Sequence, residues 1–302
     1  EETEIRILKD GTHFPTDTIT LPHTSTGSKS QFLVGADTSG NRLTDGSHVI
    51  ISGASISTPA GKPIIETTNA SGTAYLHFRN LRFTACAAEA LAFTKQTVIN
   101  AAHCRFDNNQ NGVKVNAQDN GCAQGYLYGV KCEFDNNTLT GIAYNTCNRG
   151  VWRLYGCRIH NNGSNGILFR SNIWLIHCLI YNNGGSGVTA NSSANAIDVM
   201  TNNTFYNNAG DGAKEYANTA LHIHSGNIFA SNGGYGYTTS NTGNTGNQQQ
   251  MHFNLFHDNT SGPTPFGSGS LTFIGQNNIS GDPLFESTTE GNANFLRLST
   301  SS

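Results

Sequence analysis

The chain has 302 residues, a formal net charge of −3 and 12% charged residues, with no basic stripe, so nucleic acid is not an expected partner. No apolar run reaches the roughly 18 residues that a membrane span needs, and scarce Pro (7) beside abundant Gly (34) is not the composition of a disordered chain. Seven cysteines, an odd number, argue against a complete disulfide framework.

In chain order, residues 1–80 carry strand-like runs at Glu4 to Leu8, Thr18 to Leu21, Gln31 to Val34, His48 to Ile56 and Tyr75 to Phe83, without a tidy repeat. They are expected to form the first coils of a solenoid, with longer turns. The opening Glu1-Glu2-Thr3-Glu4 does not read as a signal peptide.

Self-similarity begins near Leu81 and overrides local propensity. Cys104-Arg-Phe-Asp-Asn-Asn109 precedes Gly112, and Cys132-Glu-Phe-Asp-Asn-Asn137 precedes Gly141. Cys157-Arg-Ile-His-Asn-Asn162, Cys178-Leu-Ile-Tyr-Asn-Asn183, Asn203-Thr-Phe-Tyr-Asn-Asn208, Asn227-Ile-Phe-Ala-Ser-Asn232 and Asn254-Leu-Phe-His-Asp-Asn259 continue the series, with starts 21 to 28 residues apart. Few leucines fall in each unit, which excludes a leucine-rich repeat. Short period-two runs broken by Asn and Gly predict three strands per coil. The fold expected is all-β, a right-handed parallel β-helix of about 8–10 coils with 21–28 residues per coil. A single domain is expected over 1–302, with irregular coils to residue 80, regular coils over 81–260 and a closing segment over 261–302.

Stacking predicts three ladders. Phe83, Phe106, Phe134, Ile159, Ile180, Phe205, Phe229 and Phe256 should form an inward stack at the ordinary strand spacing. Asn109, Asn137, Asn162, Asn183, Asn208, Asn232 and Asn259 should bond amide to amide in a buried turn. The Gly that follows in each unit is expected to supply backbone freedom. Cys104, Cys132, Cys157 and Cys178, replaced later by Asn203, Asn227 and Asn254, read as small core residues rather than metal ligands. Cys122 and Cys147 each lie 10 residues before a ladder cysteine and three before a glycine, so they are expected to stack and form a disulfide. The polar stretch Tyr237 to Gln250 is expected to be either an extended turn projecting from the solenoid or a mobile segment.

The tail contains Gly281-Asp-Pro-Leu-Phe285 and then Asn294-Phe-Leu-Arg-Leu298. With the repeat, it resembles the right-handed parallel β-helix repeat proteins, the pectate-lyase-like superfamily of bacterial secreted or phage-associated type. In many members such a segment leads into a closing strand, and members often continue past it, so the sequence is expected to be trimmed at one or both ends. The resemblance implies a fold but not one function, because the superfamily includes lyases, hydrolases, epimerases, tailspikes, adhesins and spacers. Its enzymes act on polysaccharides lying along an outward sheet, and its lyases commonly use Ca²⁺. No motif for Ca²⁺ stands here, nor do a clustered Asp-Asp pair, Gly-His-Gly or Arg-x-Pro-x-x-Arg. No cofactor is therefore assigned.

Two candidate sites remain. In Ile197-Asp-Val-Met200 and Leu221-His-Ile-His224, the apolar Val199 and Ile223 are expected inward. That places Asp198, His222 and His224 outward, with Asp198 and His222 about 5 Å apart in adjacent coils. Such a pair suits an oriented base as well as an ordinary surface contact. Lys214-Glu215 breaks the pattern nearby. Glu215 falls where other units place apolar or small residues, and it is either an inward carboxylate in need of a partner or solvated by a displaced turn. The second candidate is an outward column of Asp107, Asp135, His160, Tyr181, Tyr206, Ala230 and His257. His160, Tyr181 and Tyr206, with whichever of Trp152 and Trp174 faces out, could stack on sugar rings, or could be ordinary strand residues.

The expected function is a non-catalytic extracellular or virion-surface β-helix that binds glycan or acts as a rigid element. Alternatives are a polysaccharide-degrading lyase or hydrolase and a filament or homo-oligomer subunit joined through end coils.

Overall fold

A computed structural model describes residues 3–13, 15, 17, 19–21, 30–43, 47–56, 62–67, 74–93, 97–115, 125–144, 150–170, 172–190, 197–215, 221–239, 248–263 and 272–300. Among these, every strand pairs in parallel with the equivalent strand one turn away. The first sheet has 11 strands, from Thr3–Leu8 to Thr272–Gln276; the second has 11, from Thr12–His13 to Ile279–Ser280; the third has 9, from Ile19–Leu21 to Tyr237–Thr239. The chain thus winds through the three sheets in rotation, an all-β solenoid. No α-helix occurs among the described residues, only a short 3-10 turn at Gly53–Ser55.

Turn length explains why the winding is so regular. The second-sheet strand Arg105–Asp107 has only three residues, and each end is set by a residue with left-handed backbone. Asn108, Asn136, Asn161, Asn182 and Asn207 have φ between +50° and +54°. Asn tolerates this conformation because its short side chain can bond locally. His103, Lys131, His177 and Asn202 bend the chain in the same way before each Cys or Asn ladder residue. Each Asn-Asn pair therefore divides its work: the first residue makes the corner and the second points inward.

The inward Asn forms the expected ladder. Asn137 Nδ2 donates to Asn162 Oδ1 at 2.9 Å and to the Phe106 carbonyl at 3.1 Å, while the Asn137 backbone N–H donates to the same Oδ1 at 3.2 Å. The pattern repeats through Asn183, Asn208, Asn232 and Asn259. A second ladder lies at the other corner. It runs Asn203, Asn227, Asn254 and Asn278, each amide 2.9–3.0 Å from the next, and begins where the buried cysteines Cys104, Cys132, Cys157 and Cys178 end. Between the ladders lies the aromatic stack. Ring centroids of Phe83, Phe106 and Phe134 are 5.3 and 5.0 Å apart and nearly parallel, and Phe205, Phe229 and Phe256 continue the stack beyond Ile159 and Ile180.

The repeated glycines have another reason than the expected backbone freedom. A Cβ at Gly112, Gly166, Gly187 or Gly212 would stand 2.5–2.6 Å from the carbonyl oxygen of the next turn, so close approach rather than left-handed φ selects Gly there. At the two ends of the polar stretch, Tyr237–Thr239 and Gln248–His252 are strands rather than turn, and residues 240–247 lie outside the described residues.

The C-terminal segment departs furthest from expectation. In place of a closing strand there is an isolated antiparallel bridge, Phe285 with Leu298. The segment turns back over the outer face of the second sheet. Glu290 accepts hydrogen bonds from Asn161 and Asn182, and Phe295 packs edge-on against Tyr181 with centroids 4.8 Å apart.

Candidate functional site

Asp198 and His222 pair in register in adjacent first-sheet strands, as expected, but their side chains point the other way. Asp198, His222, His224 and Glu215 are all 0% exposed, while Ile197 is 44% exposed and Val199 and Ile223 are half-buried on the outer face. Hydrophobicity alone would bury Val199 and Ile223. The winding decides otherwise, because the inward positions of these strands lie three and five residues before the ladder Asn203 and Asn227. The same count places Leu154 and Trp152 inward before Cys157, and Leu175 and Ile173 inward before Cys178.

The result is a polar cluster inside the solenoid. His222 Nδ1 lies 2.5 Å from Glu215 Oε2 and 3.3 Å from Asp198 Oδ2, and His224 Nε2 lies 3.3 Å from Glu215 Oε1. These contacts are ion-pair distances without hydrogen-bond alignment, since both ring nitrogens of each histidine lack an aligned partner. The Tyr237 hydroxyl donates to Glu215 Oε2 at 2.6 Å. Burial raises the Asp198 carboxyl to about 6. Burial also works against the charge on His222, but the Glu215 carboxylate overcomes it and holds the imidazole at about 10. Lys214 takes no part, because it lies on the opposite face of its strand from Glu215. Of the two readings of Glu215, the inward one holds.

The outward column of the second sheet is in register but largely covered. Asp107 and Asp135 are 0% exposed, each held by a two-pronged arginine: Arg82 on Asp107 at 2.8 and 2.5 Å, Arg105 on Asp135 at 2.9 and 2.6 Å. His160 stacks on Tyr181 with centroids 4.5 Å apart, and its Nε2 lies 2.9 Å from Glu133 Oε1. That contact holds the Glu133 carboxyl at about 2. Tyr181, 0% exposed, is roofed by Glu290 and Phe295. Tyr206 remains half-buried and borders a groove of about 730 Å³ that also reaches His257, Asp282, Phe285 and Asn294. His160 and Tyr181 are therefore not available to a ligand in this arrangement.

The outer face of the first sheet is the open one. Trp152 is buried against Tyr144, and Trp174 is the tryptophan that faces out. In register along this face stand Phe32, His77, Asn100, Tyr128, Arg153 and Trp174. Phe32 and His77 stack at 4.1 Å, and the Arg153 guanidinium lies 4.1 Å from the Trp174 ring centre and 5.6 Å from that of Tyr128. A shallow groove of about 260 Å³ is lined by Phe32, Arg42, His77, Arg79, Asn100 and Tyr128. Among the described side chains, the outward positions from Ser30 to His252 carry no Asp or Glu. Sequence reasoning missed this array because its members come from turns of unequal length. The four-residue offset back from each ladder position, as from Cys132 to Tyr128 and from Cys178 to Trp174, aligns them. Cys122 and Cys147 lie outside the described residues, although Gly125 and Gly150, which follow them, do pair in register.

Comparison with known proteins bears on the fold. No curated protein matches the chain. A periplasmic alginate epimerase, solved as a double mutant, is similar with a TM-score of 0.57 and 13% identity, over 92% of this chain and 77% of that one. A pectate lyase is similar with a TM-score of 0.54 and 15% identity, over 100% of this chain and 80% of that one. The sequence also matches the right-handed β-helix region over residues 122–279, just over half of its length. That match and the three parallel sheets agree: the chain belongs to the right-handed β-helix family.

Proposed function

We propose that the protein is an extracellular glycan-binding β-helix whose ligand lies along the outer face of the first sheet. The observation that carries this reading is the aligned Tyr128–Arg153–Trp174 array. Flat aromatic rings offer an apolar face to the C–H face of a sugar, and an exposed aromatic strip on a rigid sheet is the usual mark of a binding surface. Arg79 and Arg153, on a face whose one described outward carboxylate, Glu4, is taken up by Arg6 and Arg42, favour an acidic polysaccharide. The two solved structures of similar fold are proteins named for alginate and pectate, which is consistent with this choice.

A non-catalytic role is favoured over hydrolysis. A hydrolase needs two carboxyl groups flanking the bond, and the described outward positions of this face offer only Glu4, in register with Phe32 and already paired with Arg6 and Arg42. The Asp198–His222 pair proposed as orienter and base is sealed inside the solenoid. The test is a panel of acidic and neutral polysaccharides, with binding and the release of unsaturated or reducing ends measured together. Binding to an acidic polymer without new chain ends is expected. Trp174→Ala and Arg153→Ala should each weaken it about tenfold, equivalent to about 1.4 kcal/mol. Tyr206→Ala, in the other groove, should leave it unchanged. Binding that survives both first-sheet variants removes this assignment, and new unsaturated ends establish the enzyme reading instead.

A further inference from the structure

We infer that Asp198, Glu215, His222 and His224 form an interior zinc site that ties two consecutive turns of the solenoid together.

The cluster is hard to explain as a finished ion network. Both Asp198 oxygens, Glu215 Oε1 and all four ring nitrogens of His222 and His224 are buried without an aligned hydrogen-bond partner among the described residues. Elsewhere in the same interior, the Asn ladders satisfy their amides at both atoms. A buried polar atom left unpaired is costly, and a buried charge more so. Of these seven atoms, one each from Glu215, His222 and His224 converges with the others, and Asp198 Oδ2 lies beside His222 Nδ1, which indicates a missing partner rather than tolerated loss.

The donor set identifies the partner. Imidazole with carboxylate suits Zn²⁺, whereas Ca²⁺ and Mg²⁺ take oxygen ligands alone. One donor atom each from Glu215, His222 and His224 lies within 4.8 Å of the others. Donors around a tetrahedral Zn²⁺ are about 3.3 Å apart. The Asp198–His222 and Glu215–His224 separations are both 3.3 Å, and the 2.5 Å Glu215–His222 pair needs to open by less than about 1 Å. Two carboxylates, two neutral imidazoles and one Zn²⁺ sum to zero charge, the proton that His222 holds in the metal-free cluster leaving to solvent as the metal binds.

The fold supplies the rest. His222 and His224 sit two apart on one strand, so both point inward. Asp198 comes from the preceding turn of the first sheet, and Glu215 from the end of a third-sheet strand. The Tyr237 hydroxyl, donating to Glu215, orients that ligand from outside the donor set. The only two methionines of the chain, Met200 and Met251, stand in register on either side of His224 and are both buried, which closes the site to water.

The test is metal analysis of the full chain, expressed with zinc in the medium and purified without chelator. About one zinc per chain is expected, with a thermal midpoint that falls by at least about 5 °C after removal by a strong chelator during refolding and returns on adding Zn²⁺ alone. Refolding with Co²⁺ should give the intense visible d–d bands of a tetrahedral site. His224→Phe and Glu215→Gln should lose the metal, while Glu133→Gln, at the outer acidic–histidine cluster, should keep it. Two results overturn the inference: a wild-type chain without zinc or cobalt spectrum whose midpoint ignores the chelator, or metal retained in both inner variants. The cobalt spectrum of the wild-type chain decides the matter even where a variant fails to fold.

Discussion

On the outer face of the second sheet, Asp107 and Asp135 are clamped by arginines, and His160, Tyr181 and Tyr206 lie against the chain's own C-terminal segment. On the outer face of the first sheet, Tyr128, Arg153 and Trp174 stand in the same kind of register with nothing laid over them among the described residues. The two faces have similar residue types and share one core. The difference teaches that an aromatic column on a β-helix becomes structural or available according to whether another segment fills it. Composition alone does not distinguish the two.

Substitutions can break that comparison. Phe134, in the core that both faces share, sets the scale, and Phe134→Ala should cost about 3–5 kcal/mol. Tyr181→Ala on the covered face should cost nearly as much, about 3 kcal/mol, read as the loss in denaturant midpoint at constant slope. A loss below about 1 kcal/mol would show that the roof contributes little.

Acid titration should come next in size. The Glu133 carboxyl is held at about 2 in the fold, first by its contact with His160, against an ordinary value of 4.5. The folded value is the lower one, so the contribution is complete above about 4.5 and is lost as pH falls from there towards 2. Glu133→Gln should flatten the stability–pH curve in that window and leave it unchanged at neutral slope. An identical slope in the variant would assign the acid loss to other carboxylates.

Glu290→Ala removes the acceptor for Asn161, Asn182 and the Tyr181 hydroxyl, at a partly exposed position, and should cost about 1 kcal/mol. Trp174→Ala should shift stability by less than about 0.5 kcal/mol, although it weakens glycan binding. A large stability loss there would make the open face structural as well.

The period, the Asn-Asn corners, the Phe stack and the reduced core cysteines were legible in the sequence because stacking forces the same residue type to recur at one position. The orientation of Asp198, His222 and His224 was not, because hydrophobicity and corner geometry assign opposite inward sides to these two strands. Val199 and Ile223 are outward because the corner geometry fixes parity before side-chain polarity is consulted. Counting back from Asn203 and Asn227 would have given the correct answer. The second Asn ladder was half-visible, as a substitution for Cys. The roof over Tyr181 was invisible, since nothing local in Gly281 to Leu298 says which surface it will meet.

A stack of turns that touch only their neighbours behaves like a one-dimensional chain of coupled units, able to fray from either end. The strap made by Phe285, Glu290 and Phe295 changes that connectivity. It joins residues 129 positions apart, such as Asn161 and Glu290, and spans the turns of Tyr181 and Tyr206. Those turns cannot open one at a time without releasing the strap. Unzipping from the C-terminal end should therefore meet a cooperative barrier, and the middle of the solenoid should exchange its amide hydrogens as one block.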